Sequence, residues 1–417
     1  MGTKKLLMVN HVTLNQKFAF EAANSLGLDI YLASEELPEY LTDLVKEEKF
    51  IKTDPYNSQK LISAVVAFIE SKDIDFDGIV SFSEHSVLET AELASALGKV
   101  SLPVHAARRS SINKLLQRHI CKVNNIRVPK YKVIDNLDML STAVNAVGLP
   151  AVIKPIRGAK SYGVQKITKE DKKDDYKRLL KEVKYQTGEE MLDSFRNFTG
   201  YFLVEEYIEG GVYSADGLVQ DGKITIAGTV EFIMGPEPYF AQEANYMPAR
   251  LKKAEMDELV DYAKSVIRAL GFNNCGFHCE MRYSKSGPVL IEIAARLPGG
   301  PLQRGYIEAF GNDLTKALIK LVLGEKISLD GKVKKYILQK AKFLRKEGKL
   351  SELKASLDIS KVRGVKEFKM ILNKGDSIKV YPEIPVPLYY VFLSTESAKS
   401  LENLENKVAD SIFLEIS

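Results

Sequence analysis

Glu280 and Glu292 stand twelve residues apart in the stretch FHCEMRYSKSGPVLIEIAAR, which reads as two strands joined at Lys285-Ser286-Gly287. A three-residue loop with glycine at its left-handed position makes Ser284 oppose Pro288 and Glu280 oppose Glu292. Both carboxylates then share one sheet face, with Cβ atoms roughly 4.5–5.5 Å apart. Facing carboxylates repel, so one is protonated, or an arginine bridges them, or a divalent cation lies between them. Magnesium suits the last case, being held by one or two carboxylates while water and substrate phosphates complete its octahedron. The alternation of a strand adds His278 and Arg282 to this face and sends Phe277, Cys279, Met281 and Tyr283 into a core. A solvated polar face with Arg282 paired to a glutamate is the plain alternative. Arg296 follows four residues after Glu292, a fixed cation where the chain leaves the sheet, and Gly299-Gly300 offer backbone N–H groups to a carboxylate or oxyanion, or simply make a turn.

Other stretches carry compatible chemistry. Lys154 interrupts the apolar strand AVIKP, so its ammonium must reach a partner or water. After it comes RGAKSYGV, where Gly158 and Gly163 bracket a loop whose N–H groups, with Lys160 and Ser161, can approach an anion. It is not a Walker A loop, and a hairpin turn is the alternative. Glu205 and Glu206 end the strand LVEEYIEG before a glycine break, where unpaired backbone groups can meet a flat heterocycle while Leu203 or Ile208 packs on its face; an exposed acid cluster is the other reading. The irregular aromatic stretch 231–250 is a candidate substrate loop or a connector, with Phe232, Tyr239, Phe240 and Met247 available to shape an acyl pocket. Ser83-Glu84 sit at a strand's C-terminal end, a ligand position in parallel sheets or a helix cap. Cys121, Cys275, Cys279 and His278 match no zinc spacing, and the histidines and serines form no recognisable nucleophile arrangement.

These residues need a scaffold. The chain has 417 residues, 45% apolar and 27% charged, beyond the roughly 250–300 residues at which single cores stop growing. Strands and helices alternate through 1–107 and imply a doubly wound parallel sheet. Residues 108–327 carry the chemistry on antiparallel strands, and Lys-rich 328–417 reads as a smaller α+β unit. The fold class is thus α/β at the N-terminus and α+β overall. A basic helix is expected from Arg108 to Asn124, a hairpin around Asp221-Gly222, and helices over Lys253–Leu270 and Asn312–Leu323. A net charge of +4 spread along the chain argues against nucleic acid. No apolar run reaches the roughly eighteen residues a membrane span needs. Three cysteines suit a reducing cytoplasm, and nothing speaks against a homodimer.

The order of these pieces is more specific than any one of them. A helix with Asn113-Lys114, a strand lysine, a glycine loop, the EEYIEG strand end, paired glutamates and an arginine four residues on together resemble the ATP-grasp superfamily over roughly 108–323. The preceding α/β region resembles the domain that usually comes before it. The resemblance implies that Lys114 and Lys154 contact ATP phosphates under the Gly158–Gly163 loop, and that Glu205, Glu206 and Ile208 meet the adenine. It further implies that Glu280 and Glu292 hold Mg2+, or Mn2+, and that Arg296 lies beside the transferring phosphate. Two departures matter. Val212 stands where a ribose-binding glutamate is usual, with Glu209 as a substitute, and Ala294 stands where a third metal ligand is common. The pattern looks more like the L-amino acid ligase branch than D-alanine:D-alanine ligase. It implies an ADP-forming carboxylate-amine ligase working through an acyl phosphate on amino-acid-like substrates. The rivals are a carboxylase or purine-pathway type of enzyme and a regulator that binds nucleotide without turnover.

Overall fold

The apolar runs KLLMV, DIYLAS and GIV, with FIK at the edge, form a four-stranded parallel sheet. Its strands Phe50–Lys52, Asp29–Ser34, Lys5–Val9 and Gly78–Val80 lie side by side in that order. Helices Lys17–Ser25, Ser58–Lys72 and Val87–Ala96 fall between or after them, and strands so nearly continuous in apolar residues are what a sheet covered on both faces requires. This computed structural model describes residues 2–10, 14–110, 113–158, 163–169, 200–235, 240, 242–380 and 386–417. Lys160, Ser161 and Tyr239 lie outside the described residues. Among the described residues no helix is long and apolar enough to cross a membrane.

Two antiparallel sheets follow. The smaller, of four strands, runs Tyr131–Ile134, Phe202–Glu206, Ala151–Pro155 and Gln165–Ile167. The larger has eight strands, beginning Gly287–Ala294, Cys275–Ser284, Gly211–Gln220, Lys223–Met234 and Gln242–Met247. Three strands from the C-terminal region, Tyr336–Lys342, Tyr389–Thr395 and Val365–Met370, extend the same sheet. A three-stranded sheet of Ser377–Ile378, Gly348–Ala355 and Ile412–Ile416, with helix Ala398–Asp410, completes the chain. The expected Asp221-Gly222 turn is present, with φ of +51° and +79°, and the helix Lys253–Leu270 has the expected limits.

Four local expectations change. The helix expected from Arg108 to Asn124 is two, Val104–Ser110 and Lys114–Val123. Asn113 starts the second by accepting a hydrogen bond from the Leu116 N–H at 3.1 Å, which is why Lys114 stands at a helix start. The irregular stretch 231–250 is largely strand: Lys223–Met234 and Gln242–Met247 pair directly. Phe232 and Met247 are core residues there, 3% and 1% exposed, and neither lines the cleft that Phe240 reaches. A helix, Gly300–Phe310, begins at the glycine pair, hidden in the sequence by its proline and glycines. Finally, Ser284 pairs with Gly287 rather than Pro288, and a bulge between Glu280 and Met281's partners leaves Ile291 unmatched. Glu280 still opposes Glu292, because a shorter turn and one extra residue give the same count as the longer loop.

Candidate active site

A cleft of about 940 Å³, counting its solvent-open space, lies between the small sheet and the first strands of the large one. Val152 and Lys154 line one side, Glu205 to Ile208 the connection, and Glu280, Arg282 and Val289 to Glu292 the floor. Val212, Met234, Phe240 and Gln242 close the end.

At the connection, Glu205 is fully engaged. Arg118 approaches it with Nε to Oε1 at 2.6 Å and Nη2 to Oε2 at 3.3 Å, and Lys154 Nζ lies 2.6 Å from Oε2. Arg118 is 0% exposed, and its guanidinium also donates to the Ile291 carbonyl. Burial works against the Glu205 carboxylate, yet Arg118 and then Lys154 hold it below the usual range. Burial dominates for Lys154 and pushes its ammonium down to about 8, with Glu205 opposing. The strand lysine thus finds the partner its position demanded, and Glu205 offers the cleft no free carboxylate oxygen. Glu206 accepts from the Lys130 N–H at 3.1 Å.

The floor is built differently. Glu280 and Glu292 are cross-strand partners. Glu292 Oε1 lies 2.9 Å from Lys114 Nζ, which also donates to the Gly158 carbonyl at 2.9 Å. Glu280 Oε1 lies 2.8 Å from His278 Nε2. The opposite face carries Phe277, Cys279 and Met281, all 0% exposed, as alternation requires. His278 is held on its other nitrogen by Asp216 Oδ1 at 2.7 Å, and Asp216 accepts in turn from Ser214 and Tyr306. A ring with a carboxylate on each nitrogen must donate from both. Burial opposes this charge, but Asp216 and Glu280 raise His278 to about 10. Burial likewise opposes the Glu280 carboxylate, and His278 keeps it below its ordinary value.

The donor set fits a hard divalent cation. Among the described residues each floor glutamate has one oxygen occupied, Oε1 in both cases, and no group of three or more His, Cys, Asp and Glu side chains forms a complete metal site. Two carboxylates with room for phosphate and water are what magnesium usually takes from a protein. Ala294 contributes no donor.

Other expected residues fall around this centre. Arg296 is turned toward the N-terminal unit, where Nη2 and Nε contact Glu84 Oε2 at 2.6 and 3.0 Å. Burial disfavours its charge, while Glu84, Glu292 and Glu280 keep it above its usual value. Arg282 donates to the Gly210 carbonyl at 2.9 Å and stacks 4.7 Å from the Tyr207 ring centre, with the Phe240 ring centre 5.8 Å away. Gly210, at φ +132°, would place a Cβ 1.9 Å from the Tyr283 carbonyl oxygen, so only glycine passes there. Ile208 lines the cleft; Glu209 is exposed and outside its lining. Gly163 has φ +71°, and Gly299 and Gly300 begin the helix Gly300–Phe310.

Sequence reasoning passed over Arg118, Asp216 and Tyr306. A signal existed for the first: Lys114, Gln117, Arg118 and Cys121 recur at core-face helical spacing, and all four are buried. Gln117 straps that face to the floor strand through the Ile293 carbonyl at 2.8 Å and N–H at 3.2 Å.

Comparison with known proteins agrees with this architecture. Residues 147–303 match the family model of the ATP-grasp domain and residues 20–103 that of the ATP-grasp N-terminal domain. The chain is 24% identical over 335 residues to carnosine synthase 1 of Mus musculus, covering 78% of this chain but only 40% of that protein. It is 21% identical over 347 residues to an L-arginine-specific L-amino acid ligase of Bacillus subtilis, covering 82% of this chain and 80% of the relative. The fold superimposes on an L-amino acid ligase from Bacillus licheniformis with a TM-score of 0.76 at 20% identity, over 100% of this chain and 99% of that one.

Proposed function

Starting from a chain that is an ATP-grasp protein, we propose that it is an ADP-forming ligase joining a carboxylate to an amine, both on amino-acid-like molecules. A carboxylate is a poor electrophile because its leaving group would be oxide. In the proposed reaction a substrate carboxylate oxygen forms a bond to the γ-phosphorus of ATP as the bond to ADP breaks. The amine then attacks the acyl carbon, a C–N bond forms, the bond from the acyl carbon to the phosphate oxygen breaks with its electron pair leaving on phosphate, and the amine proton passes to solvent. Amino-acid-like substrates are favoured by the names of the two relatives above.

The observation that carries the reading is the floor pair, Glu280 facing Glu292, with Lys114 against one of them and Lys154 lining the same cleft. Magnesium or manganese held there would neutralise β- and γ-phosphate charge. Lys114 would bridge the Gly158 loop to the phosphates, and Lys154 would add a second cation. The hinge from Glu206 to Ile208 would take the adenine. Arg296 would stabilise charge on the transferring group.

The test is ADP release across a panel of amino-acid pairs, with magnesium and with a chelator. Release that needs both an amino-acid pair and the metal is expected. Release driven by bicarbonate or formate without amino acids, or none across the panel, overturns the reading. Arg296 needs a paired design, since its loss strands the buried Glu84. Arg296→Gln in a Glu84→Gln background should keep the fold and lower ADP release by about 10²–10³-fold, the usual cost of one such donor; wild-type release from that variant removes Arg296 from the chemistry.

A further inference from the structure

Beneath the cleft floor lies a polar chain more deeply hidden than ligand contact requires. Asp216, Ser214 and Tyr306 are each 0% exposed. Ser214 donates to Asp216 Oδ2 at 2.9 Å and the Tyr306 hydroxyl donates to the same oxygen. Asp216 Oδ1 meets His278 Nδ1 at 2.7 Å, and His278 Nε2 meets Glu280 Oε1 at 2.8 Å. The register explains why the ring fits. His278 has Asp216 as its partner on one neighbouring strand and Ala294 on the other. Directly opposed residues share a face, so the methyl of Ala294 leaves the imidazole room that a longer side chain would take.

A glutamate on a cavity floor ordinarily has several rotamers, and ordering it on a cation weakens binding. Here one carboxylate oxygen is fixed from below. We propose that the Asp216–His278 pair is a positioning device for Glu280, holding Oε1 in the floor so that Oε2 is presented to a divalent cation before the cation arrives. Asp216 and Tyr306 then control metal affinity from beneath the floor strands without touching metal or substrate. This rests on the reading of Glu280 as a metal ligand and adds to it residues that no motif contains. Hydrogen-bonded partners of metal ligands commonly set affinity by about 10–100-fold.

The probe is Mn2+, titrated into the full chain with a non-hydrolysable ATP analogue and followed by electron paramagnetic resonance of the free ion. Asp216→Asn and His278→Leu are expected to weaken Mn2+ binding by about 10–100-fold, while the analogue binds with unchanged affinity in the presence of a chelator. His278→Gln, which returns an N–H within reach of Glu280, should recover most of that loss. A role confined to holding strands together would lower the melting temperature of all three variants without separating Gln from Leu in Mn2+ affinity. If Asp216→Asn fails to fold, the Gln and Leu variants decide alone. Variants that bind Mn2+ as the wild type does, while Glu280→Gln does not, overturn the positioning role and leave the metal site standing. Equal Mn2+ binding by wild type and Glu280→Gln removes the metal site, and the proposal with it.

Discussion

Two acid clusters share one cleft and are solved in opposite ways. Glu205 has two cations for one carboxylate, Arg118 and Lys154, and both of its oxygens are taken. Among the described residues Glu280 and Glu292 have one polar contact each, on a single oxygen. The first cluster is cation-rich and suits a polyanion; the second is acid-rich and suits a cation. An acid in a cleft is therefore sorted by how many of its oxygens the protein has already used. Glu205 belongs to the framework although it lines the cavity, whereas the floor pair is left incomplete.

The largest effect should come from breaking the saturated cluster. Arg118→Ala leaves Glu205 in a buried site with one partner, and loss of one side of a buried pair costs about 3–5 kcal/mol. Chemical denaturation should show that loss with no ligand present. If Arg118→Ala unfolds as the wild type does, Glu205 is not a framework acid. Next comes Glu292→Gln, which should keep its melting temperature while ADP release falls by about 10²–10³-fold, comparable to removing one transition-state charge partner. Equal stability losses in the two variants would erase the distinction between the clusters.

The smallest effect is a pH dependence that separates binding from folding. Lys154 is charged in the free protein below about pH 8 and loses its proton above it. A polyphosphate attracts only the ammonium form, so nucleotide affinity should fall as pH rises through about 8, by at most about tenfold per pH unit for one proton. Stability moves the other way. Between about 8 and the ordinary 10.5 the unfolded chain holds the extra proton, so folding gains as pH rises through this window. Isothermal titration and thermal melts over pH 7.5–9.5 should therefore diverge. A flat affinity profile would take Lys154 out of nucleotide binding.

The residues that were legible belong to local patterns. The alternation around Glu280 assigned its face and its core neighbours, and the strand lysine announced a partner without naming it. The partners themselves were not legible, because they come from far along the chain: Arg118 is 87 residues from Glu205, and Tyr306 is 90 from Asp216. Asp216 and Ser214 were readable as polar residues alternating in a strand, but nothing nearby says that this face is buried. Arg296 shows the same limit. The resemblance implied a phosphate contact for it, and its place against Glu84 depends on how the N-terminal unit packs. Gly300–Phe310 was missed for a different reason: proline and glycine at a helix start look like a loop until the chain beyond them is seen to turn.

Ile291, the unmatched residue in the floor hairpin, has a consequence for how this chain can change length. The turn at Lys285-Ser286 alone would offset Glu292 by one position and send its side chain to the opposite face; the bulge restores the offset. A loop longer by one residue with no bulge would oppose the same two glutamates. Insertion at the tip and deletion at position 291 therefore cancel for the acid pair, and a lineage could exchange one for the other. They do not cancel for Arg118, which takes the Ile291 carbonyl as an acceptor. Tip length is therefore fixed for as long as the framework cluster keeps its hold on that one extra peptide group.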